Sequence, residues 1–220
     1  ALHGLHHVSL PPALAERLPR EIYAPQWREQ VRDFLRRGEV NHFPDPVAAE
    51  LSALLQDERP TILRLVQRAE TLAAVLQAQS PPFVLCHADI HAGNVLIDAH
   101  DQLYVVDWDT LILAPKERDL MYVGGGLFTR QRTPAEEERL FYQGYGPTEV
   151  EVDPVGIAYY RCERIVQDIA AYCAQILLTE GDGPDRAEGL RQLRGQFQPG
   201  EVIEIAFRSE RALPPAYRGE

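Results

Sequence analysis

The chain has 220 residues, of which 45% are hydrophobic and 25% are charged, the composition of a globular protein rather than a disordered one. Its 33 acidic and 22 basic side chains give a net charge of −11, which argues against binding nucleic acid through its phosphates. The sequence has no apolar window that could span a membrane, and its first ten residues lack a secretory pattern. We therefore expect a cytoplasmic protein with neither a nucleic acid nor a membrane as partner.

The three cysteines also favour a cytoplasmic protein. Cys86, Cys162 and Cys173 are odd in number and have no CxxC spacing, which argues against a disulfide framework or a zinc site. Each has apolar neighbours, so we predict that each is a small, reduced core residue.

Helical periodicity of apolar residues dominates the first part of the chain. It predicts helices over residues 24–37 and 60–79, and a third that begins at the capping residue Asp45. After Ser80, a short apolar run at 83–86 predicts a strand or extended segment.

A β-hairpin is predicted next, because apolar runs at 95–97 and 103–106 flank the turn-forming residues 98–101. The remainder is expected to be mostly helical, with a capping box at Thr133–Glu136 and a long helix from Pro154. The predicted fold is mainly α with a small β-hairpin. It divides into a helical lead-in (1–80), a loop and hairpin (81–110) and a helical region (111–220).

The most unusual polar residues surround the hairpin. The preceding loop reads H-x-D-x-x-x-x-N, from His87 through Asp89 to Asn94, and Asp107 follows the second strand. Asp89 suits the role of a carboxylate that orients an acceptor hydroxyl and takes its proton. Asn94 and Asp107 offer the hard oxygen ligands that hold Mg²⁺ against phosphates. This set predicts phosphoryl transfer from magnesium-ATP to an alcohol.

These residues resemble the aminoglycoside phosphotransferase family, antibiotic kinases related to choline kinases and, more distantly, to protein kinases. Three stretches carry the resemblance, at 87–98, 106–109 and 115–120, and the sequence from Trp108 to Gly126 is most similar to the spectinomycin kinase branch. The resemblance implies the C-terminal lobe of a protein-kinase-like fold that uses ATP and Mg²⁺. It also implies that Asp89 is the catalytic base, and that Asn94 and Asp107 are the magnesium ligands.

The resemblance implies roles for two further residues, His87 and Asp119. His87 is expected to be buried and to brace the loop, and Asp119 to hydrogen-bond to the loop's backbone. From the residues alone, Asp109 could bind substrate or support the loop after Asp107, and we favour the supporting role. Glu163 and Asp182 are candidates for a pocket that takes a small cationic or polar alcohol, the acceptor that the acidic balance favours, although a solvated surface carboxylate is the commoner role for each.

Two departures from the family pattern stand out. Ala88 replaces the usual glycine, a change that we expect to be harmless. Family members also begin with a β-rich lobe whose nucleotide-covering loop and lysine we do not find before His87, and Lys116 is the only lysine. We therefore expect a C-lobe without its N-lobe, whose hinge surface packs against a missing N-lobe or a neighbouring chain.

Other interpretations stay open. His87, Asp89 and His91 have the spacing of a transition-metal site, and polar residues of this kind also occur in purely structural loops. His3, His6 and His7 form a histidine cluster, H-x-x-H-H, in which His3 and His7 share a helix face and could bind metal, although packing at the hinge is the commoner role. The acceptor could instead be choline, a sugar or homoserine, and the chain itself could be a non-catalytic acceptor-binding module or a structural remnant.

Overall fold

The structure is a computed structural model that describes residues 1–40, 43–125, 132–146, 151–179 and 184–218. Within these ranges the chain is mainly helical, with two small antiparallel sheets. The helices are α1 Leu2–His6, α2 Pro12–Ala15, α3 Gln26–Val40, α4 Pro46–Asp57, α5 Arg59–Gln79, α6 Glu117–Leu120, α7 Pro134–Tyr145, α8 Pro154–Leu177, α9 Pro184–Gln196 and α10 Val202–Ser209. The strands are β1 Val84–Cys86, β2 Val95–Ile97, β3 Leu103–Val105 and β4 Ile112–Ala114. The predicted fold class is confirmed.

The long helices begin where the sequence places capping residues. The Asp45 carboxylate accepts the Ala48 N–H at 3.0 Å at the start of α4. At the start of α7, Thr133 and Glu136 form the predicted capping box, in which each side chain accepts the other residue's backbone N–H. The sequence also predicts a helix over residues 190–197, whereas helix α9 begins six residues earlier, at Pro184.

The strands form two separate pairs. The predicted hairpin is present, with Val95 opposite Val105 and Ile97 opposite Leu103. Strand β1 pairs instead with β4, which we did not predict because β4 is only three residues long. Strand β1 leads into the loop at 87–94, and β4 leads into α6.

The chain divides into two compact units. Unit 1 comprises residues 1–23 and 75–160, and unit 2 comprises residues 24–74 and 161–220. Unit 2 is built around a large apolar cluster in which Leu51, Leu65 and Ile169 are fully buried. Unit 1 contains a smaller apolar cluster of Leu120, Val123 and Tyr145, together with both strand pairs.

The structure also answers two points raised by composition. Among the described residues, no helix combines the length and apolar character that crossing a bilayer requires. Cys86, Cys162 and Cys173 are all buried and free, which confirms the prediction that they are core residues. Burial raises the pKa of each thiol.

Candidate active site

The loop at 87–94 is held from one side by Asp119, a buried residue of α6. Its carboxylate accepts two successive backbone N–H groups, from His87 at 3.0 Å and from Ala88 at 2.6 Å. The contact that we expected between Asp119 and the loop backbone is therefore present. Buried N–H groups need such partners, so this carboxylate fixes the path of the chain just before Asp89.

Ala88 corrects one of our expectations. Its φ is +70°, a left-handed backbone conformation that costs a residue with a Cβ roughly 1–2 kcal/mol. Glycine adopts this conformation without that cost, which is the physical reason a glycine suits this position. The alanine is therefore a strained substitution rather than a harmless one.

His87 braces the loop through both ring nitrogens. Its Nε2 lies 2.9 Å from the Val106 carbonyl oxygen, and its Nδ1 accepts the Asp89 N–H at 3.3 Å. These two bonds fit the neutral imidazole that carries its proton on Nε2. Because both nitrogens bind backbone groups, the ring has no nitrogen left for a metal, which argues against the transition-metal interpretation.

Asp89 follows the two residues whose backbone Asp119 holds, and 18% of its side chain is exposed. The Tyr122 hydroxyl donates to Oδ1 at 2.9 Å, and His91 Nε2 lies 3.9 Å from Oδ2. The carboxylate is thus held in place and still accessible from outside, as a group that meets a substrate must be.

Asn94 and Asp107 lie at the same end of the hairpin, since the Val95–Val105 pair is the first of its ladder. The buried Asn94 side chain donates through Nδ2 to the Asp89 carbonyl oxygen at 2.8 Å. Its amide nitrogen is engaged in this way, so its Oδ1 is the atom that can serve as a ligand. Asp107 is exposed and has a left-handed backbone, with φ 65° and ψ 62°.

An amide oxygen and a carboxylate are hard donors of the kind that Mg²⁺ takes, usually alongside water and phosphate oxygens. Asn94 and Asp107 therefore fit a magnesium ion as far as donor chemistry is concerned. Their attachment to one hairpin end, next to Asp89, would bring the ion beside the candidate base.

Comparison with known proteins identifies the family of this chain. A family model described as "Phosphotransferase enzyme family" matches residues 1–155, well over half of the chain. The chain belongs to this phosphotransferase family. Similarity to a spectinomycin phosphotransferase confirms the predicted resemblance to aminoglycoside phosphotransferases.

Two crystal structures of that spectinomycin phosphotransferase match this member of the family. One, a complex with ADP and spectinomycin, is 40% identical with a TM-score of 0.86, over 95% of this chain and 63% of that one. The AMP-bound complex is 41% identical with a TM-score of 0.82, over 94% and 63%. This chain thus spans less than two thirds of the length of these relatives.

An aminoglycoside phosphotransferase from Alicyclobacillus acidocaldarius is 14% identical with a TM-score of 0.64, over 96% of this chain and 64% of that one. At this identity the likeness establishes a shared fold and no more.

Of the three remaining candidate residues, the structure describes Asp109 and Glu163. Asp109 is exposed in the 3-10 turn that follows Asp107, where its supporting role stays a prediction. Glu163 belongs to unit 2 and is buried, with its Oε2 3.4 Å from Arg28 Nε and side-chain exposures of only 4% and 3%. This position gives no support to a role in binding substrate. Asp182 lies outside the described residues.

Several residues of the network were missed from the sequence. Tyr122, Thr110 and Tyr145 carry no motif that would single them out, although the Thr110 hydroxyl donates to the His87 carbonyl oxygen at 2.7 Å. His6 was noted only as part of a histidine cluster. It is buried and contacts Asp119, whereas His3 and His7 stack on each other with ring centroids 4.0 Å apart.

His6, Cys86 and Asp119 also bring three possible metal-ligand atoms within 4.8 Å of one another. His6 and Asp119 already have hydrogen-bond partners within the protein, and burial raises the pKa of the Cys86 thiol, which opposes formation of the thiolate that a metal would need. Its sulfur lies within hydrogen-bonding distance of the Ala114 and Pro115 carbonyl oxygens. The cluster is therefore better described as a hydrogen-bonded support for the loop than as a metal site.

Proposed function

We propose that this chain carries the catalytic base and the magnesium ligands of an ATP-dependent phosphotransferase that acts on a hydroxyl group. The observation that carries the proposal is the arrangement around Asp89. The Asp89 carboxylate is accessible and held in place. Asn94 binds the Asp89 backbone, and the hairpin end next to Asn94 also bears Asp107. Family membership and the nucleotide complexes of the spectinomycin phosphotransferase support the same chemistry.

In the proposed reaction, Asp89 accepts a hydrogen bond from the acceptor hydroxyl and directs its oxygen at the γ-phosphorus of ATP. The new bond forms between that oxygen and phosphorus as the bond from phosphorus to the β-γ bridging oxygen breaks. The hydroxyl proton passes to the Asp89 carboxylate, and ADP leaves with the bridging oxygen. A bound Mg²⁺, held by Asn94 and Asp107, would supply positive charge against the phosphates.

The protein's own contribution is mainly positioning. Tyr122 holds one oxygen of Asp89, and His87 and Asp119 fix the backbone on either side of Ala88. Such preorganisation matters because a hydroxyl placed in line with the phosphorus reacts far faster than a freely diffusing one. We further propose an aminocyclitol-like, cationic acceptor, which the net charge of −11 suits and which spectinomycin represents in the similar enzyme.

The test joins this chain to the part of the spectinomycin phosphotransferase that it does not cover, and measures ADP release with spectinomycin as acceptor. We expect turnover that depends on Mg²⁺, and a fall of about 10²- to 10⁴-fold in kcat on Asp89→Asn. Asp101→Asn is the matched control, because Asp101 lies in the exposed hairpin turn and asparagine tolerates its left-handed backbone. Unchanged kcat in the Asp89 variant would refute the assigned base.

A second candidate, which the sequence leaves open, is a non-catalytic acceptor-binding module. Titration calorimetry on the 220-residue chain separates the two. Binding of magnesium-ADP that is lost in Asp107→Ala supports the catalytic proposal. Binding of spectinomycin with no nucleotide binding supports the module.

A further inference from the structure

The backbone just before the proposed base is under strain, and its restraint comes from a distant part of the sequence. Ala88 has a φ of +70°, which a residue with a Cβ rarely adopts. The Ala88 N–H donates to Asp119 Oδ1, and the neighbouring His87 N–H donates to Oδ2. The orientation of one buried carboxylate therefore decides whether both N–H groups are bound.

His6, in the first helix, fixes that orientation. Its Nε2 lies 2.9 Å from Asp119 Oδ2, and its Nδ1 lies 2.5 Å from the Tyr145 hydroxyl. With the imidazole proton on Nε2, the Tyr145 hydroxyl donates to His6 Nδ1, and His6 Nε2 donates to Asp119 Oδ2. Each polar atom of these three side chains then has a partner. All three side chains are buried, where the loss of a partner is costly.

This contact differs from ordinary packing because Asp119 must bind in two directions at once. Its Oδ2 receives His6 and His87, while Oδ1 receives Ala88. Without the donor from His6, the carboxylate can rotate about its own bond, and its hold on the Ala88 N–H weakens. The strained alanine would then relax toward an ordinary backbone conformation and carry Asp89 with it.

We propose that His6 is a positioning residue: through Asp119 it holds Ala88 in the left-handed conformation that aims Asp89. The importance of this for catalysis rests on the proposed function, since Asp89 matters only as the base of that reaction. The structural part of the proposal does not depend on activity and can be tested on the 220-residue chain alone.

The experiment measures amide hydrogen exchange by NMR. In His6→Leu we expect the His87 and Ala88 amides to exchange at least about tenfold faster, the scale of one lost hydrogen bond to a carboxylate. Amides in the middle of α8 serve as the internal reference for global stability. His7→Leu is the matched control, because His7 is exposed and its ring bonds only within its own helix, at His3.

A rescue experiment separates positioning from general support. Ala88→Gly removes the cost of the left-handed backbone, so it should restore most of the lost protection in the His6→Leu background. Ala92→Gly should not do so, since Ala92 is exposed in the same loop and is not among its left-handed residues. A purely structural role for His6 predicts no difference between the two glycines.

A milder variant keeps the test decisive if His6→Leu does not fold. Tyr145→Phe retains the aromatic ring stacked on Phe141 and removes only the hydroxyl that binds His6. We expect the His87 and Ala88 amides to respond in the same direction. Unchanged exchange of these amides in the folded variants, or equal acceleration of the α8 amides, would overturn the proposal. Failure of phosphotransfer together with the expected exchange pattern would count against the proposed function alone.

Discussion

The two units of this chain are stabilised in different ways. In unit 2, long helices such as α3, α5 and α8 contribute apolar side chains to one large cluster. In unit 1, the elements around the candidate site are three to five residues long, and polar contacts connect them. His6 and Asp119 are 113 residues apart in sequence, and His87 and Val106 are 19 apart.

This difference determines how each unit should respond to substitution. An apolar core loses free energy roughly in proportion to the volume removed, and its neighbours relax into part of the space. A buried hydrogen-bond network cannot relax in this way, because each lost partner leaves a polar atom without water. The same truncation should therefore cost more, and disturb the backbone more, in unit 1.

The largest expected effect is that of Asp119→Ala. It leaves the N–H groups of His87 and Ala88 and the His6 ring without their shared acceptor, all in buried positions. We expect the free energy of unfolding to fall by about 4 kcal/mol, measured by urea denaturation. The exposed Asp57→Ala should stay within about 0.5 kcal/mol of wild type. A loss below 1 kcal/mol for Asp119→Ala would contradict the assigned network.

In unit 2 the matching truncation is Leu65→Ala, at a fully buried position of α5. We expect a loss of about 3 kcal/mol from transfer of the side chain and the cavity left behind. Leu178→Ala is the control, since that leucine is 56% exposed and should change stability little. Equal denaturation midpoints for the two leucine variants would show that the cluster does not stabilise the chain as described.

Glu163→Gln tests a polar contact inside unit 2 and, with it, our sequence-based expectation for this residue. Removing the carboxylate charge weakens its buried pairing with Arg28, so we expect a loss of about 2 kcal/mol in the free energy of unfolding. The exposed pair of Glu50 and Arg194 provides the control, as Glu50→Gln should change little. A changed KM for the acceptor at unchanged stability would instead support a substrate role for Glu163.

The same contrast explains what the sequence could predict. Apolar periodicity and capping residues are local signals, so the start of α8 was predicted at Pro154, where the helix begins. The hairpin was predicted because its turn composition is also local. The motif was enough to single out Asp89, Asn94 and Asp107, because residue type and spacing carry their chemistry.

The rest of the site depends on contacts that no local pattern encodes. Nothing near His6 indicates a partner 113 residues away, and the role of Asp119 came from the family resemblance rather than from spacing. Strand β4 was missed because its three residues carry too little signal. Ala88 was misjudged because its left-handed backbone follows from how Asp119 binds the loop, which only the structure shows.

The smallest effect that we predict concerns a feature common to both units, the burial of cysteine. In unit 2, burial raises the pKa of the Cys162 thiol to about 12, so the folded chain keeps it protonated where the unfolded chain ionises. Stability from this group is complete below the ordinary thiol pKa and is lost as pH rises toward the folded value. One unit above the ordinary value, the loss should be about 1.4 kcal/mol. Urea denaturation between pH 8 and about pH 10 should therefore show a shallower decline in Cys162→Ala than in wild type. Parallel curves for the two proteins would mean that Cys162 ionises equally in both states, and that the core around it admits the charge.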